Sequence, residues 1–467
     1  MRLTILLRLI LLVIAASLLS VSCVRVAQVS RGDVDDNAQV DISDITILID
    51  YLLGDTVSLF NQVNADCNDD NKIDINDVTA LIDYFLSGEW PTVFSYDLTP
   101  DEKKLFDDGL LRINHVIDLC GQGNDLMVFG FITDMHHMYT RDQALADPTI
   151  PDAVKADWPS TDDKYYGHNC EGSLRLLGAM CHNIGADAVF CGGDMSSGLL
   201  SFEQYEVMMD KVRQLFDKYI SVPHFTVDGN HDKRYSSRVR CRTNAEWLSY
   251  LKSFNTPGWA TYLEDYGREL YGYVGNTYYV DFPAHKVRVV MLSQYERHEE
   301  HNSYRSDGLC PYWRNVYRAL QLSNPSSAGE WTVMTVSHNV NAATGDLLDL
   351  YYMAKYLDGT AFSAVGATDN QTLDALNDGN KGKAVVGGVF GHRHFYNEYF
   401  TDEGKLRFLM IDTASDKYCF SIFVLNLTSF KLFEVKVGQE GNTSSRSYRS
   451  DVSVSPNGWF EYDIRHN

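Results

Sequence analysis

Short runs of β-branched and aromatic residues alternate with segments whose apolar residues recur every three or four positions, and this rhythm fills most of the chain. "DLMVFGFITD" (125–134), "DAVFCGGD" (187–194), "PHFTVDGNHD" (223–232), "KVRVVMLSQ" (286–294), "WTVMTVSHN" (331–339) and "KAVVGGVFGHRH" (383–394) read as strands with polar exits. "LTPDEKKLFDDGLLRINHVIDL", "CEGSLRLLGAMCHNIG" and "EQYEVMMDKVRQLFDKY" read as helices. The first of them opens on a capping box of Thr99 and Glu102. Further on, "KLRFLMIDT", "CFSIFVLNLTS" and "KLFEVKVG" read as consecutive antiparallel strands. Such β/α alternation with an all-β finish predicts an α/β fold of mixed sheets covered by helices.

The front of the chain follows another pattern. "GDVDDNAQVDISDITILIDYLLG" from Gly32 and "ADCNDDNKIDINDVTALIDYFLSG" from Ala65 repeat each other in register. Each has oxygen-bearing side chains at alternating positions and an acidic residue at the twelfth, which is how an EF-hand loop wraps a hard cation. The first loop offers Asp33, Asp35, Asn37, the carbonyl of Gln39, Asp41 and Asp44. The second offers Asp66, Asn68, Asp70, the carbonyl of Lys72, Asp74 and Asp77. The sixth position, where the turn favours Gly, holds Ala38 in one loop and Asn71 in the other. After each loop, Ile45, Leu48, Ile49, Leu52 and then Val78, Leu81, Ile82, Phe85 recur at helical spacing. A loop-helix pair, repeated once and closing on Asp, resembles the type I dockerin family over about Asp33–Gly88. That resemblance implies a small all-α module that binds calcium and docks on a cohesin-type domain. Ile42-Ser43 and Ile75-Asn76 replace the family's paired Ser/Thr early in each helix.

Charge supports a separate module there. The 467-residue chain carries a net charge of −23, and fourteen Asp/Glu against two Lys/Arg between Arg31 and Trp90 supply about half of it. So acidic a chain does not coat nucleic acid, whose phosphates demand a basic face. The start, "MRLTILLRLILLVIAASLLSVSC", has a basic opening, an apolar run and small residues, the pattern of a secretory signal. Three readings stand: ordinary cleavage near Ser20 and Ser22, a lipoprotein leader with Cys23 as the lipidated first residue, or a retained membrane anchor. Export to the periplasm, cell surface or medium is expected. The nine cysteines show no paired framework, and Cys191 reads as a small core residue. The expected division is a leader at 1–22, a calcium-binding repeat at 31–90, a linker at 91–100 and a large domain at 101–467.

Polar residues collect where the predicted strands end. In chain order these are Asp134-Met135-His136, Gly193-Asp194, Gly229-Asn230-His231-Asp232, Ser337-His338 and Gly391-His392-Arg393-His394. Carboxylate, imidazole and amide oxygen suit a borderline divalent ion, and the two oxygens of Asp194 could bridge a pair. Next-but-one side chains on an extended segment share a side, so His392 and His394 can reach into one site together. All five motifs, in this order, resemble the calcineurin-like metallophosphoesterase superfamily from about Leu126 to Gly438.

The resemblance implies a four-layer double β-sandwich flanked by helices, with a dinuclear centre. Asp134, His136, Asp194 and His394 would hold one metal, and Asp194, Asn230, His338 and His392 the other, the metals being Fe, Mn or Zn. It implies hydrolysis of a phosphate mono- or diester by attack of a metal-bridging hydroxide. His231 would assist the leaving group, with Asp232 behind its imidazole. His137 reads either as a substrate contact or as an exposed support beside the ligands, Arg393 as pointing away from the metals into a salt bridge, 233–329 as a cleft cap that selects the substrate, and "GQEGNTSSRSYRSD" as a terminal arm. The competing reading is an interaction or scaffold component whose phosphoesterase fold is catalytically degenerate.

Overall fold

The structure, a computed structural model, describes residues 31–37, 39–54, 57, 60–68, 73–88, 90, 96–121, 125–159, 169–197, 200–232, 242–264, 275–293, 331–338, 385–392, 394, 396–400, 407–415, 418–438, 453–454 and 459–463. The expected leader and Cys23 lie outside these residues, as do Ala38, Asp70, Asn71, Lys72, Arg393, most of 233–329 and most of the terminal arm. Two compact units divide at 95/96, inside the segment expected to be a linker. No helix among the described residues is long and apolar enough to cross a membrane.

In the first unit, each acidic loop feeds a helix: α1 (Ile42–Leu52) after the first and α3 (Ile75–Ser87) after the second, with a single turn α2 (Gln62–Ala65) between. Asp41 caps α1 by accepting the Ser43 N–H, and Asp44 returns a bond from the Asp41 N–H, so the loop's end is also the helix's start. The apolar stripe behaves as its spacing predicts. Ile45, Leu48, Ile49, Val78 and Leu81 are buried in one core with Val34, and Leu52, Ile82 and Phe85 pack on its edge.

The second unit opens with α4 (Pro100–Cys120), started by the expected capping box of Thr99 and Glu102. Strands β1 (Leu126–Ile132), β2 (Ala188–Cys191) and β3 (His224–Thr226) pair in parallel. The chain then builds β4 (Ala260–Tyr262), β5 (Tyr278–Phe282), β6 (Val287–Met291), β7 (Thr332–Val336), β8 (Val385–Phe390), β9 (Asn397–Phe400) and β10 (Arg407–Met410). It finishes with β11 (Phe420–Asn426), β12 (Lys431–Val437), β13 (Ser453–Val454) and β14 (Trp459–Asp463). Among the described residues these form two seven-stranded sheets, ordered β13-β14-β12-β11-β1-β2-β3 and β4-β5-β6-β7-β8-β10-β9.

One expectation is corrected here. "KLRFLMIDT" does not begin an antiparallel series with the two strands after it. As β10 it lies parallel to β8 in the second sheet, whereas β11 and β12 form a hairpin in the first. Hydrophobic alternation tells a strand which faces to bury, but not which neighbour to pair with.

A single core joins both sheets: Phe129 stacks on Phe423, Phe190 meets Phe282 across the layers, and Tyr278 on β5 donates to the carbonyl of Thr226 on β3. Cys191 is fully buried in it, a free thiol like Cys170 and Cys181. The helices Pro100–Cys120, Cys170–Ile184 and Phe202–Tyr219 pack in series on the first sheet. With helices covering that layer, the polar strand exits gather where β1, β2, β3, β7 and β8 end.

Candidate functional site

β1 delivers Asp134 and His136, and β2 delivers Asp194 on the neighbouring loop. The two loops are stitched together by Asp134 N–H to Gly193 O (3.0 Å) and His136 N–H to Asp194 O (2.9 Å). β3 leads into Asn230 and His231, β7 into His338, and β8 into His392 and His394. Asp134, His136, Asp194, His392 and His394 all adopt positive φ, between 45° and 81°. L-residues rarely sit there, and such strain persists only where the surroundings over-determine it, typically at functional positions. Space is equally restricted. A Cβ on Gly391 would lie 2.2 Å from Asp134 Oδ2, and one on Gly229 would lie 2.1 Å from Asp194 Oδ1, so both positions need glycine.

These loops bring two groups of ligand-type atoms together. His394 Nε2 lies 3.2 Å from Asp134 Oδ1 and 3.1 Å from His136 Nε2. His338 Nε2 lies 3.1 Å from Asn230 Oδ1 and 3.2 Å from His392 Nδ1, and His392 Nδ1 is 2.9 Å from the same amide oxygen. Asp194 Oδ2 faces both groups, 3.9 Å from His136 Nε2 and 3.2 Å from His338 Nε2. Asp134, His136 and His394 thus form one group, and Asp194, His338 and His392, with Asn230 beside them, another.

The arrangement fits cations better than it fits itself. Asp134 and Asp194 are buried carboxylates in one small space, and the atoms Asp134 Oδ1 faces there are imidazole nitrogens. Burial opposes charge on Asp194, yet His338 and His231 hold its carboxyl well below the usual range. Burial brings the His136 imidazole down to about 4, which leaves it neutral, as a metal ligand must be. Burial acts against a proton on His338 too, but Asp194 overrides it and lifts that imidazole to about 10, so a cation entering there displaces a proton. His338 Nδ1 lies 2.7 Å from the Gly192 carbonyl, which leaves Nε2 for the site.

His231 lies at the open edge, its imidazole within 4.8 Å of ligand-type atoms of His136 and Asp194. Its side chain is 40% exposed, with Nε2 4.0 Å from Asp194 Oδ2 and its ring edge-on to His136. Asp232 does not back this imidazole, contrary to expectation. Its carboxylate is buried beneath the loops and accepts the backbone N–H groups of Asp194 (2.6 Å), Met195 (2.9 Å) and Gly229 (2.8 Å). Burial, with Asp194 beside it, raises the Asp232 carboxyl to about 7. His137 is buried, its ring edge-on to Tyr139, and it pairs with Ser196 along the backbone.

Sequence reasoning passed over several residues at the site. Thr133 Oγ1 donates to Asp134 Oδ2 (2.8 Å), and Thr413 Oγ1 donates to the Asp134 carbonyl (2.5 Å). Ser293 Oγ donates to Asp228 Oδ2 (2.7 Å), and Tyr205 bonds Asp232 through its hydroxyl. No motif marks them. The available signal was only that Thr413 also follows a strand, in "MIDTAS".

In the first unit, carboxylate oxygens of Asp33, Asp35 and Asp44 come within 4.8 Å of one another. Asp44 is fully buried, and that burial raises its carboxyl. Asn37 is turned into the loop, donating to Asp35 and accepting from the Gln39 N–H. Asp41 caps α1. In the second loop Asp77 accepts the N–H groups of Asn68 and Asp74, as Asp44 does for Val34, Asp35 and Asp41 in the first. Asp66 is half-buried at its start.

Comparison with known proteins agrees with both halves. The calcineurin-like phosphoesterase family matches residues 127–396, and the dockerin type I domain matches residues 31–86. Curated proteins gave no match. Among solved structures, the chain is similar to a dimetal phosphatase from Danio rerio at 16% identity and a TM-score of 0.40, over 67% of this chain and 96% of that one. It is also similar to GAP50, the anchor in the inner membrane complex of Plasmodium, at 9% identity and a TM-score of 0.34, over 68% and 86%. A third is the phosphopantetheinyl hydrolase of Mycobacterium tuberculosis, at 12% identity and a TM-score of 0.26, over 63% and 92%. With its family match spanning more than half of its length and two sheets ending in paired His/Asp clusters, the chain belongs to the calcineurin-like phosphoesterases and carries a type I dockerin domain ahead of that fold.

Proposed function

We propose that this metal-dependent phosphoesterase is exported and hydrolyses a phosphate mono- or diester, held at its place of action by the dockerin domain. Asp134, His136, Asp194 and His394 would hold one divalent transition ion, Fe, Mn or Zn, and Asp194, Asn230, His338 and His392 the other. The observation that carries this reading is the position of Asp194 Oδ2, facing His136 of one set and His338 of the other. When bound, the two ions supply positive charge for the phosphoryl oxygens and acidify water between them.

The chain's own residues do the rest. Asp194 and Asp134 are kept ionised for the cations despite burial, and His136 is kept neutral. His231, on the open side of Asp194, is free to donate a proton or hydrogen bond to the departing ester oxygen. Asp232 fixes the Asp194 and Gly229 amides, and so the spacing between the two loops. Because phosphoryl transfer needs positioning and charge more than covalent help, this is a sufficient set.

Asp194→Ala should abolish turnover of nitrophenyl phosphate mono- and diesters while the melting profile stays near wild type. Unchanged turnover would sink the assignment. Wild-type protein with neither tightly bound transition metal nor esterase activity would restore the scaffold reading. In the dockerin domain, Asp33, Asp35, Asn37, Asp41 and Asp44 and their counterparts Asp66, Asn68, Asp70, Asp74 and Asp77 would hold calcium, with the carbonyls of Gln39 and Lys72. Retention on an immobilised cohesin in calcium, and release by chelator, tests the docking role. Binding indifferent to chelator would refute it.

A further inference from the structure

Three residues outside its ligand set, the adjacent Thr133 and two brought from elsewhere in the chain, bond to Asp134. Thr133 Oγ1 and the His392 backbone N–H both donate to Asp134 Oδ2, at 2.8 and 2.7 Å. Oδ1 is buried, takes neither of these donors and faces His394 Nε2 at 3.2 Å. The third residue lies at the exit of β10. Thr413 Oγ1 donates to the Asp134 carbonyl at 2.5 Å, and the Ala414 N–H donates to the Thr133 carbonyl at 3.1 Å. Thr413 is itself buried, and its hydroxyl accepts the Ser415 N–H at 3.1 Å.

This contact crosses the two sheets. Asp134 ends β1 in one, and Thr413 follows β10 in the other, beside β8, which carries His392 and His394. Asp134 has φ +52°, so its carbonyl must be held if its side chain is to keep one direction. The peptide plane before Asp134 is anchored at both ends, its N–H on Gly193 O and the Thr133 carbonyl on the Ala414 N–H, and Thr413 holds the carbonyl of the next plane.

We infer that Thr413 is a positioning residue for the ion held by Asp134, its hydroxyl fixing the Asp134 carbonyl so that Oδ1, and not Oδ2, faces the cation. The role needs a donor at Oγ1, not merely a side chain of that shape. The inference rests on the ligand reading above, so its test must separate the two.

Full-length protein stripped of metal is titrated with Co2+, followed by calorimetry and by visible absorption, which reports the ligand field. Thr413→Val keeps the shape and removes the donor. It should weaken one of two Co2+ sites by about tenfold or more and alter that site's spectrum, the size usual for groups that orient a ligand. Thr413→Ser restores the hydroxyl and should restore both the isotherm and the spectrum. Nitrophenyl phosphate kinetics should show kcat falling with KM held. A Thr413→Val isotherm and spectrum matching wild type would overturn the inference, as would failure of Thr413→Ser to recover them. Asp134→Ala is the control. If it loses a site while Thr413→Val does not, only the role of Thr413 fails; if it loses none, the ligand reading fails. Should Thr413→Val not fold by circular dichroism, Thr413→Ala, lacking the same donor, is read in its place.

Discussion

Gly391 leaves no room between the strand it ends and the carboxylate it faces. A methyl group there would sit 2.0 Å from Thr133 Oγ1 and 2.2 Å from Asp134 Oδ2, and neither atom is the end of a long flexible chain. Gly391→Ala should therefore displace Asp134 by a fraction of an ångström to an ångström. A displacement of that size can cost about 100-fold in kcat/KM, and a reduced metal content measured on the same preparation would locate the damage. Wild-type kinetics in this variant would mean that the loops have more slack than their hydrogen bonds indicate. At this scale the sequence was most informative where chemistry dictates residue type. Asp, His and Asn at strand exits announce metal ligation because few other uses need them together. Asp232 carried the same kind of signature and a different job. Its neighbour in sequence, His231, turns outward, while its carboxylate turns down to three backbone amides. Side-chain direction within a loop is set by tertiary fit, which a motif does not encode. Thr413 is the extreme case, since its contact with Asp134 spans 279 positions.

At the level of elements, α4 shows how a local signal acquires a long-range duty. Glu102 completes the capping box of α4 and also receives Arg175 through two nitrogens, at 3.1 and 2.7 Å, and the Tyr418 hydroxyl at 3.1 Å. Burial works against its charge, but Arg175 and the Thr99 N–H outweigh it and hold the carboxyl below its usual value. A depressed folded pKa adds stability that is present above the unfolded value and is lost as pH falls through the folded one. Glu102→Gln should thus lower stability near neutral pH by about 1–3 kcal/mol. The gap to wild type should close as the solution is acidified. Urea unfolding at several pH values checks this, and a gap that widens in acid would contradict it. The capping box was legible from four consecutive positions, whereas the Arg175 and Tyr418 contacts were not, because they come from another helix and from the approach to β11. Strand identity was legible in the same way, and strand pairing was not. β10 and β11 each read as apolar runs, yet they enter different sheets.

Over the whole second unit, the two sheets are also tied at the end opposite the site. His285, in the turn between β5 and β6, bridges Asp125 before β1 (2.5 Å) and Asp187 before β2 (3.0 Å). Burial would lower this imidazole's pKa, but the two carboxylates override it and raise it above the ordinary value. A raised folded pKa contributes stability that is complete below the unfolded value, near pH 6.5, and is lost as pH rises through the folded value. His285→Gln should accordingly cost stability at pH 5.5 and progressively less toward pH 9. Thermal unfolding of the two proteins across that range decides the matter, and a cost that grows with pH would refute the clasp. The front unit folds around a core of its own residues. There the repeat was plain in the sequence because each loop must supply oxygen at fixed positions.

The pairing of β1 with β11 has a consequence for synthesis. β1 ends in two of the candidate metal ligands, and in the native sheet it is flanked by β2 and by a strand made nearly three hundred residues later. Until Phe420–Asn426 leaves the ribosome, one edge of β1 has no native neighbour, so its backbone amides face water or a chaperone. A nascent chain long enough to contain every candidate metal ligand would still lack the strand that closes this edge. Chains stopped between His394 and Phe420 are expected to be insoluble and not merely inactive.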